Sequence, residues 1–135
     1  MKILVQKFGG TSVSTHERRK RVIEKIIKAR NEGYAPVVVV SAMGRKGEPY
    51  ATDTLLSLVS EKLNHENTLS IDLLMSCGEI ISTVVITDEL LEKGINAVPM
   101  TGGQAGIFTD DNYNNAAVVD LKPSKILEII KQGKV

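Results

Sequence analysis

The pattern of apolar residues predicts an α/β fold, a three-layer α/β/α sandwich built on a mostly parallel sheet. Short continuous apolar runs alternate with longer stretches of helical period, as they do in β-α-β units. Three of the predicted strands end in polar loops that contain glycine, at Lys7–Ser12, Ser41–Gly44 and Met100–Gly103. Ligands of open parallel sheets bind beyond the carboxyl ends of the strands, so these loops are expected to converge.

The first half of the chain is predicted to contain two strands separated by a helix. The first strand covers residues 2–7, and Ser14 and Glu17 have the spacing of a capping box that starts the helix. The second strand covers residues 36–41 and contains four consecutive valines. A β-branched run of this kind predicts a central parallel strand that is buried on both faces.

The second half is predicted to begin with two helices, over about 52–63 and 69–93. The longer helix is apolar nearly all round in its first half, so it is expected to lie deep in the fold with Cys77 in the core. The remaining predicted elements are strands at 95–100, 107–109 and 116–121 and a helix that Pro123 opens and Gly133 closes.

Composition excludes several classes of protein. A chain of 135 residues that is 42% hydrophobic can bury one core, so a single domain is expected. A net charge of +1 and only three Tyr and two Phe argue against a nucleic-acid or acidic-membrane surface. One cysteine suits a reducing compartment, and neither a secretory leader nor an uninterrupted membrane-spanning run is visible. A soluble cytoplasmic protein is therefore expected.

The most informative segment is the end of the first strand, Lys7-Phe8-Gly9-Gly10-Thr11-Ser12. Glycines allow backbone N–H groups to approach an anion, the lysine supplies a mobile charge, and the following helix directs its positive end at the same place. The spacing matches neither the Walker motif nor the dinucleotide motif. The segment predicts a phosphate site, and the alternative is a tight strand-to-helix turn with a surface lysine.

Glu79 is the second candidate, because it lies in the helix expected to be the most buried. A buried carboxylate is rare unless it is paired. The neighbouring Gly78 weakens a helix by about 1 kcal/mol relative to alanine, which indicates close approach of a ligand or another backbone. The alternative is that Glu79 pairs with a structural Lys or Arg, or faces solvent.

Other polar clusters are given structural interpretations. Thr52, Asp53 and Thr54 could form a helix N-cap. The basic stretch at 16–21 is interpreted as the solvated face of a helix. Asp110 and Asp111 lack the further acidic residues that a metal cage needs, so no metal site is predicted.

Five segments together resemble the N-terminal part of the aspartate kinase family, within the amino-acid kinase superfamily. They are Lys7–Ser12, Val39–Gly44, Tyr50–Leu55, Ser76–Glu79 and Thr101–Ile107, in that order over nearly the whole chain. The resemblance implies an amino-acid kinase-like fold and ATP-dependent phosphorylation of the β-carboxylate of L-aspartate to 4-phospho-L-aspartate. This reaction opens the route to lysine, threonine and methionine.

The resemblance also implies roles for particular residues. Lys7 would be the catalytic residue that contacts the transferring phosphoryl group, and Glu79 would face the ammonium group of aspartate. The implied ATP and phosphate site consists of Lys7, Phe8, Gly9, Gly10 and Ser41. The implied aspartate site consists of Thr52, Asp53, Thr54 and Glu79. ATP would act with Mg²⁺, whose ligands are expected outside this chain, and the full-length protein is expected to be a homo-oligomer.

Parts of the family pattern are missing from residues 1–135. The later Gly-Arg-Gly-Gly-Ser-Asp segment, the nucleotide-binding half and the ACT regulatory domains are absent, and Lys134-Val135 resembles the start of another strand. The chain is therefore expected to be the amino-acid-binding part of a truncated kinase domain, inactive by itself. The alternatives are a kinase of glutamate or N-acetylglutamate, or a non-catalytic ligand-binding module of the same fold.

Overall fold

The computed structural model describes all 135 residues and contains four strands and six helices. In chain order they are β1 (Lys2–Phe8), α1 (Gly10–Val13), α2 (His16–Asn31), β2 (Tyr34–Val40), α3 (Thr52–Leu56), α4 (Glu61–Glu66), α5 (Thr68–Leu91), β3 (Ile107–Thr109), β4 (Val118–Leu121) and α6 (Ser124–Lys131). β1 and β2 pair in parallel, with Lys2 opposite Tyr34 and Phe8 opposite Val40, whereas β3 and β4 form an antiparallel pair. The predicted α/β class is confirmed.

The core lies where α2 and α5 meet the end of the parallel pair. Apolar residues of α2 recur at three- and four-residue spacing and therefore share one face of that helix. The central cluster consists of Phe8, Val13, Val22, Ile23, Ile26, Met43, Ile86 and Leu90. Phe8 and Val13 flank the glycine loop and Met43 lies in the loop after β2, so the core anchors both loops.

The predicted capping box at Ser14 is wrong by one residue. The N-cap of α2 is Thr15, whose hydroxyl oxygen accepts a hydrogen bond from the Arg18 N–H at 3.3 Å. Ser14 instead donates from its hydroxyl to the carbonyl oxygen of Thr11, 3.0 Å away. Ser14 follows the short helix α1, which the sequence does not predict. Its side chain therefore caps the end of that helix rather than the start of α2.

The single helix predicted over 52–63 is also wrong, because the segment forms α3 and α4. The Ser57 hydroxyl donates to the Thr54 carbonyl at 2.6 Å, and Ser60 caps α4 by accepting from the Leu63 N–H at 3.3 Å. These local hydrogen bonds satisfy backbone groups that a continuous helix would otherwise use. The N-cap of α3 is Ala51, without a side-chain hydrogen bond, so the N-cap interpretation of Thr52, Asp53 and Thr54 is wrong as well.

The strand predicted at 95–100 does not form. The Val98 N–H donates to the Val135 carbonyl at 2.9 Å, and the Val135 N–H donates to the Asn96 carbonyl at 3.0 Å, but no longer pairing follows. The parallel sheet therefore has two strands, and one edge of β2 has no neighbouring strand. Burial of β2 on both faces is a wrong prediction, since Val39 is 45% exposed.

α5 does not lie deep in the fold, contrary to the sequence-based expectation. One stripe of the helix is exposed, and it comprises Leu69, Leu73, Cys77, Ile80, Val84 and Leu91. Cys77 is therefore not a core residue. By length and composition alone α5 could cross a membrane, a test that core helices of soluble proteins also pass. Because the helix is apolar on most sides, its sequence does not specify which side faces the core.

Candidate functional site

The loops that follow β1 and β2 are in direct backbone contact. The Gly44 N–H donates to the Gly10 carbonyl at 3.1 Å, and the Ser41 N–H donates to the Phe8 carbonyl at 3.2 Å. A Cβ on Gly10 would lie 2.5 Å from the Ala42 carbonyl oxygen, which is closer than real Cβ atoms approach. Gly10 is thus required by the packing of the two loops, and the structure brings Phe8, Gly10 and Ser41 together.

Gly9 differs from Gly10, because no atom of the protein lies within 4 Å of the position a Cβ would take. Its φ of −73° and ψ of 167° are accessible to any residue, so backbone strain does not explain the glycine. The space beside Gly9 is open to a ligand that approaches the N-terminus of α1.

Lys7 lies on β1, immediately before this loop, and is exposed. It takes part in none of the ion pairs of the structure. Its ammonium group is therefore available to a ligand rather than neutralised by a carboxylate of the protein. Exposure alone does not distinguish a ligand-binding lysine from an ordinary surface lysine, so the distinction depends on the groups that lie near Lys7.

Gly78 brings α5 against the loop after β2. A Cβ on Gly78 would lie 2.7 Å from the Ala42 Cβ, 3.2 Å from Leu55 Cδ1 and 3.2 Å from the Tyr50 carbonyl oxygen. The close approach predicted at this glycine is confirmed. The Gly47 N–H also donates to Thr54 Oγ1 at 3.2 Å. Ala42 therefore lies against both Gly10 of the glycine loop and the Gly78 turn of α5, and that turn also packs against Tyr50 and Leu55.

Glu79 has a carboxylate oxygen without a partner. Its Oε2 atom is buried and accepts no hydrogen bond, and the side chain forms no ion pair. Burial of an unpaired carboxylate oxygen costs free energy, and a cationic ligand that binds this oxygen would recover that cost. Pairing of Glu79 with a structural Lys or Arg is absent from the structure.

Three arginines near the loops were missed as site residues. Arg45 Nε donates to Thr11 Oγ1 at 3.2 Å, and Arg18 Nη1 donates to the Thr11 carbonyl at 3.0 Å. Arg19 is not on a solvated face, because its side chain is only 14% exposed and pairs with Glu89. Its position three and four residues before Val22 and Ile23 places it on the apolar face of α2, a signal that the sequence does contain.

A cavity of about 720 Å³ runs along the second edge of β2. Pro36 to Val40 all line it, although alternate residues of a strand point to opposite faces, so the cavity reaches the edge of β2, and Val5 of the paired strand β1 lines it as well. Its other walls come from α5, α6 and the segment 97–107, and most of the lining is apolar. Lys7, Gly10, Ser41 and Thr52–Thr54 do not line this cavity.

Glu79 is the member of the predicted site that does line the cavity. Thr101, Gly102 and Gly103, from the third predicted glycine loop, line it as well. Thr101 and Gln104 stabilise this loop by reciprocal hydrogen bonds of 2.9 and 3.3 Å. The third loop is therefore placed on the Glu79 side of the site rather than on the Lys7 side.

No group of three or more His, Cys, Asp or Glu side chains in the structure is arranged to hold a metal ion. Asp110 accepts hydrogen bonds from the N–H groups of Asn112 and Ala117, which is a turn-forming role. The chemistry around the loops is that of cations, backbone amides and one free carboxylate.

The comparison with known families identifies the class of protein to which this fold and this arrangement of loops belong. The sequence profile of the amino acid kinase family matches residues 2–135, and the chain belongs to this family. The similar curated proteins are aspartokinases, as the resemblance predicted. Aspartokinase 1 of Bacillus subtilis (strain 168) is 50% identical over 130 residues, which cover 96% of this chain and 32% of that protein. The aspartokinase of Geobacillus stearothermophilus is 39% identical over 135 residues, which cover 100% of this chain and 32% of that protein.

Solved structures support the same fold. The aspartate kinase from Synechocystis superimposes with a TM-score of 0.77 at 32% identity, over 98% of this chain and 21% of that chain. Aspartokinase III of E. coli, solved in complex with aspartate and ADP, has a TM-score of 0.70 at 20% identity, over 100% and 40% of the two chains. The chain spans about a third of the length of the curated relatives it matches.

Proposed function

We propose that residues 1–135 are the amino-acid-binding part of an aspartokinase catalytic domain. The reaction would be ATP-dependent phosphorylation of the β-carboxylate of L-aspartate to 4-phospho-L-aspartate, the first step towards lysine, threonine and methionine. The observation that carries the proposal is the packing of Gly10 and Gly78 against Ala42, with Gly78 also packed against the 50–55 segment. The names of the curated relatives support aspartate as the substrate.

In this proposal Lys7, Phe8, Gly9, Gly10 and Ser41 form the phosphate site. The acceptor carboxylate is already a nucleophile, so the protein must mainly align the reactants and neutralise charge. Lys7 would supply that charge, because no carboxylate of the protein neutralises it. The open space beside Gly9 allows a phosphoryl group to reach the backbone amides of the loop.

Thr52, Asp53, Thr54 and Glu79 would hold the amino acid. The free Oε2 atom of Glu79 suits an ammonium group, which is both cationic and a hydrogen-bond donor. The Gly78 turn, one residue before Glu79, packs against Leu55 and the Tyr50 carbonyl, which belong to the same segment as Thr52–Thr54. Glutamate and N-acetylglutamate remain the alternative acceptors.

The rest of the proposal concerns a polypeptide of the relatives' length. We assign the open edge of β2 and its 720 Å³ cavity to the remaining part of the kinase domain, which would complete the sheet and supply the nucleotide-binding half. The phosphoryl donor would be ATP, with the Mg²⁺ ligands in that half. Residues 1–135 alone would then be inactive, and the complete enzyme would be cytoplasmic and homo-oligomeric.

A chimaera tests the proposal. In it, this chain replaces the matched 130 residues of Bacillus subtilis Aspartokinase 1, and acyl phosphate is trapped with hydroxylamine in the presence of ATP. We expect aspartate-dependent hydroxamate from the chimaera and none from the 135-residue chain or from a chimaera with Lys7→Ala. A folded but inactive chimaera would support the non-catalytic module, and a preference for glutamate or N-acetylglutamate would support another kinase.

Titration calorimetry on the 135-residue chain tests the placement of the nucleotide site. Binding of ATP and of aspartate is expected to be weak, because the nucleotide half and part of the aspartate site would lie elsewhere. Tight ATP binding would show that the nucleotide site is misplaced in this proposal.

A further inference from the structure

Arg19 and Glu89 form a largely buried ion pair between α2 and α5. Arg19 Nε donates to Glu89 Oε1 at 2.6 Å, and the two side chains are 14% and 10% exposed. The imidazole Nδ1 of His16 lies 3.4 Å from the same carboxylate oxygen, but His16 is 76% exposed. The remaining ion pairs of α2, Arg21–Glu17 and Lys28–Glu32, are at the surface.

The guanidinium of Arg19 also reaches both loops of the phosphate site. Its Nη1 atom donates to the carbonyl oxygen of Val13 at 3.2 Å and lies 3.7 Å from Met43 Sδ. Val13 ends the short helix that follows the glycine loop, and Met43 lies two residues after Ser41. One side chain therefore contacts α5, the glycine loop's helix and the loop after β2.

We propose that Arg19, oriented by Glu89, is a positioning residue that fixes these two loops relative to each other. This inference rests on the proposed function, because it assigns a catalytic consequence to the position of the loops. A guanidinium is planar, so a carboxylate bound at Nε determines where the Nη atoms point. An ordinary ion pair between α2 and α5 would need only a positive charge, whereas fixing the loops needs the additional Nη donor.

Arg19→Lys separates these two roles, because lysine keeps the charge beside Glu89 and loses the second donor. Amide hydrogen exchange on the 135-residue chain reports the contact between the loops through the Gly44 N–H, bonded to Gly10, and the order of the glycine loop itself through the Ser12 N–H, bonded to Gly9. We expect exchange at both amides to accelerate by about tenfold, while the Ile26 amide in the core of α2 keeps its protection.

Matched variants keep the exchange experiment interpretable. Arg21→Lys, on the same helix with a side chain 72% exposed, should leave all three amides unchanged. Glu89→Gln serves if Arg19→Lys does not fold, because glutamine keeps the shape and an acceptor oxygen while weakening the bond that orients the guanidinium. Unaltered exchange at Gly44 and Ser12 in the folded variants would overturn the inference.

Kinetics in the chimaera with Bacillus subtilis Aspartokinase 1 test the catalytic consequence. Arg19→Lys should lower kcat by about tenfold or more and raise the KM for ATP, because misplacement of reacting groups is costly. The KM for aspartate should stay within about twofold, since ground-state contacts with the amino acid are not removed. Faster exchange with unchanged kinetics would overturn the positioning role. An inactive unmodified chimaera would count against the proposed function, and exchange alone would then decide whether Arg19 fixes the loops.

Discussion

Replacement of Gly10 by alanine places a Cβ 2.5 Å from the Ala42 carbonyl oxygen and 3.1 Å from the Gly44 carbonyl oxygen. Both obstacles are backbone atoms, so the clash is relieved only if the two loops separate. Overpacking of this kind costs about 1–3 kcal/mol. Loss of the Gly44 N–H bond to Gly10 would add about 1 kcal/mol. We expect the free energy of unfolding to fall by about 2–4 kcal/mol, from the sum of these two costs.

Gly9→Ala is the matched control, one residue away in the same loop. Its Cβ would meet no protein atom within 4 Å, and its backbone angles are accessible to alanine. The loss of conformational freedom in the unfolded chain should leave stability unchanged or raise it by up to about 1 kcal/mol. In the chimaera, however, the same methyl group would occupy the space proposed for the phosphoryl group, so kcat should fall without any loss of stability.

Urea unfolding followed by far-UV circular dichroism measures both effects. With a urea dependence of about 2 kcal/mol per molar, Gly10→Ala should lower the midpoint by about 1–2 M and Gly9→Ala should not lower it. Equal midpoints for the two variants would refute the assignment of Gly10 to loop packing. Wild-type kinetics for Gly9→Ala would refute the assignment of Gly9 to the phosphate site.

Three further outcomes are expected. Lys7→Ala should lower kcat of the chimaera by on the order of 10²-fold, with a smaller effect on the aspartate KM and no change in the urea midpoint, because Lys7 has no ion-pair partner. Unchanged kinetics together with a lower urea midpoint would show that Lys7 has a structural role instead. Glu79→Gln should raise the aspartate KM by about tenfold, since it removes a ground-state charge, and should not destabilise the chain, since Oε2 has no partner to lose. A lower midpoint with wild-type KM would contradict this. Cys77 is exposed, so in the folded protein it should react with a thiol reagent at a rate within about tenfold of its rate in the urea-unfolded protein. Much slower labelling of the folded protein would show that Cys77 is a core residue.

Much of the fold and the organisation of the site could be predicted, because the signals are local. The valine run of β2 and the proline before α6 each specify a conformation through their own sterics. Close approach at Gly78 could be inferred from the cost of a glycine inside a helix, and Ala42 and Leu55 are the groups that approach.

The predictions that failed concern features that depend on packing and pairing partners elsewhere in the chain rather than on local sequence. A strand exists only where another strand supplies hydrogen bonds, and residues 95–100 have just Val135 beside them. The inward side of α5 depends on what packs against it, because its apolar residues surround the helix. The charged residues around Arg19 predict a solvated face, although its spacing to Val22 and Ile23 places it on the buried side.

The unpaired edge of β2 has a consequence for how such a protein is made. If residues 1–135 are the N-terminal third of a longer kinase, as proposed, they leave the ribosome well before the rest during synthesis at about 5–20 residues per second. For that interval, the open edge and the apolar stripe of α5 are together accessible to other nascent chains. Such surfaces recruit chaperones and promote aggregation. Variants that slow completion of the domain should then reduce the soluble yield more than they reduce the stability of the finished protein.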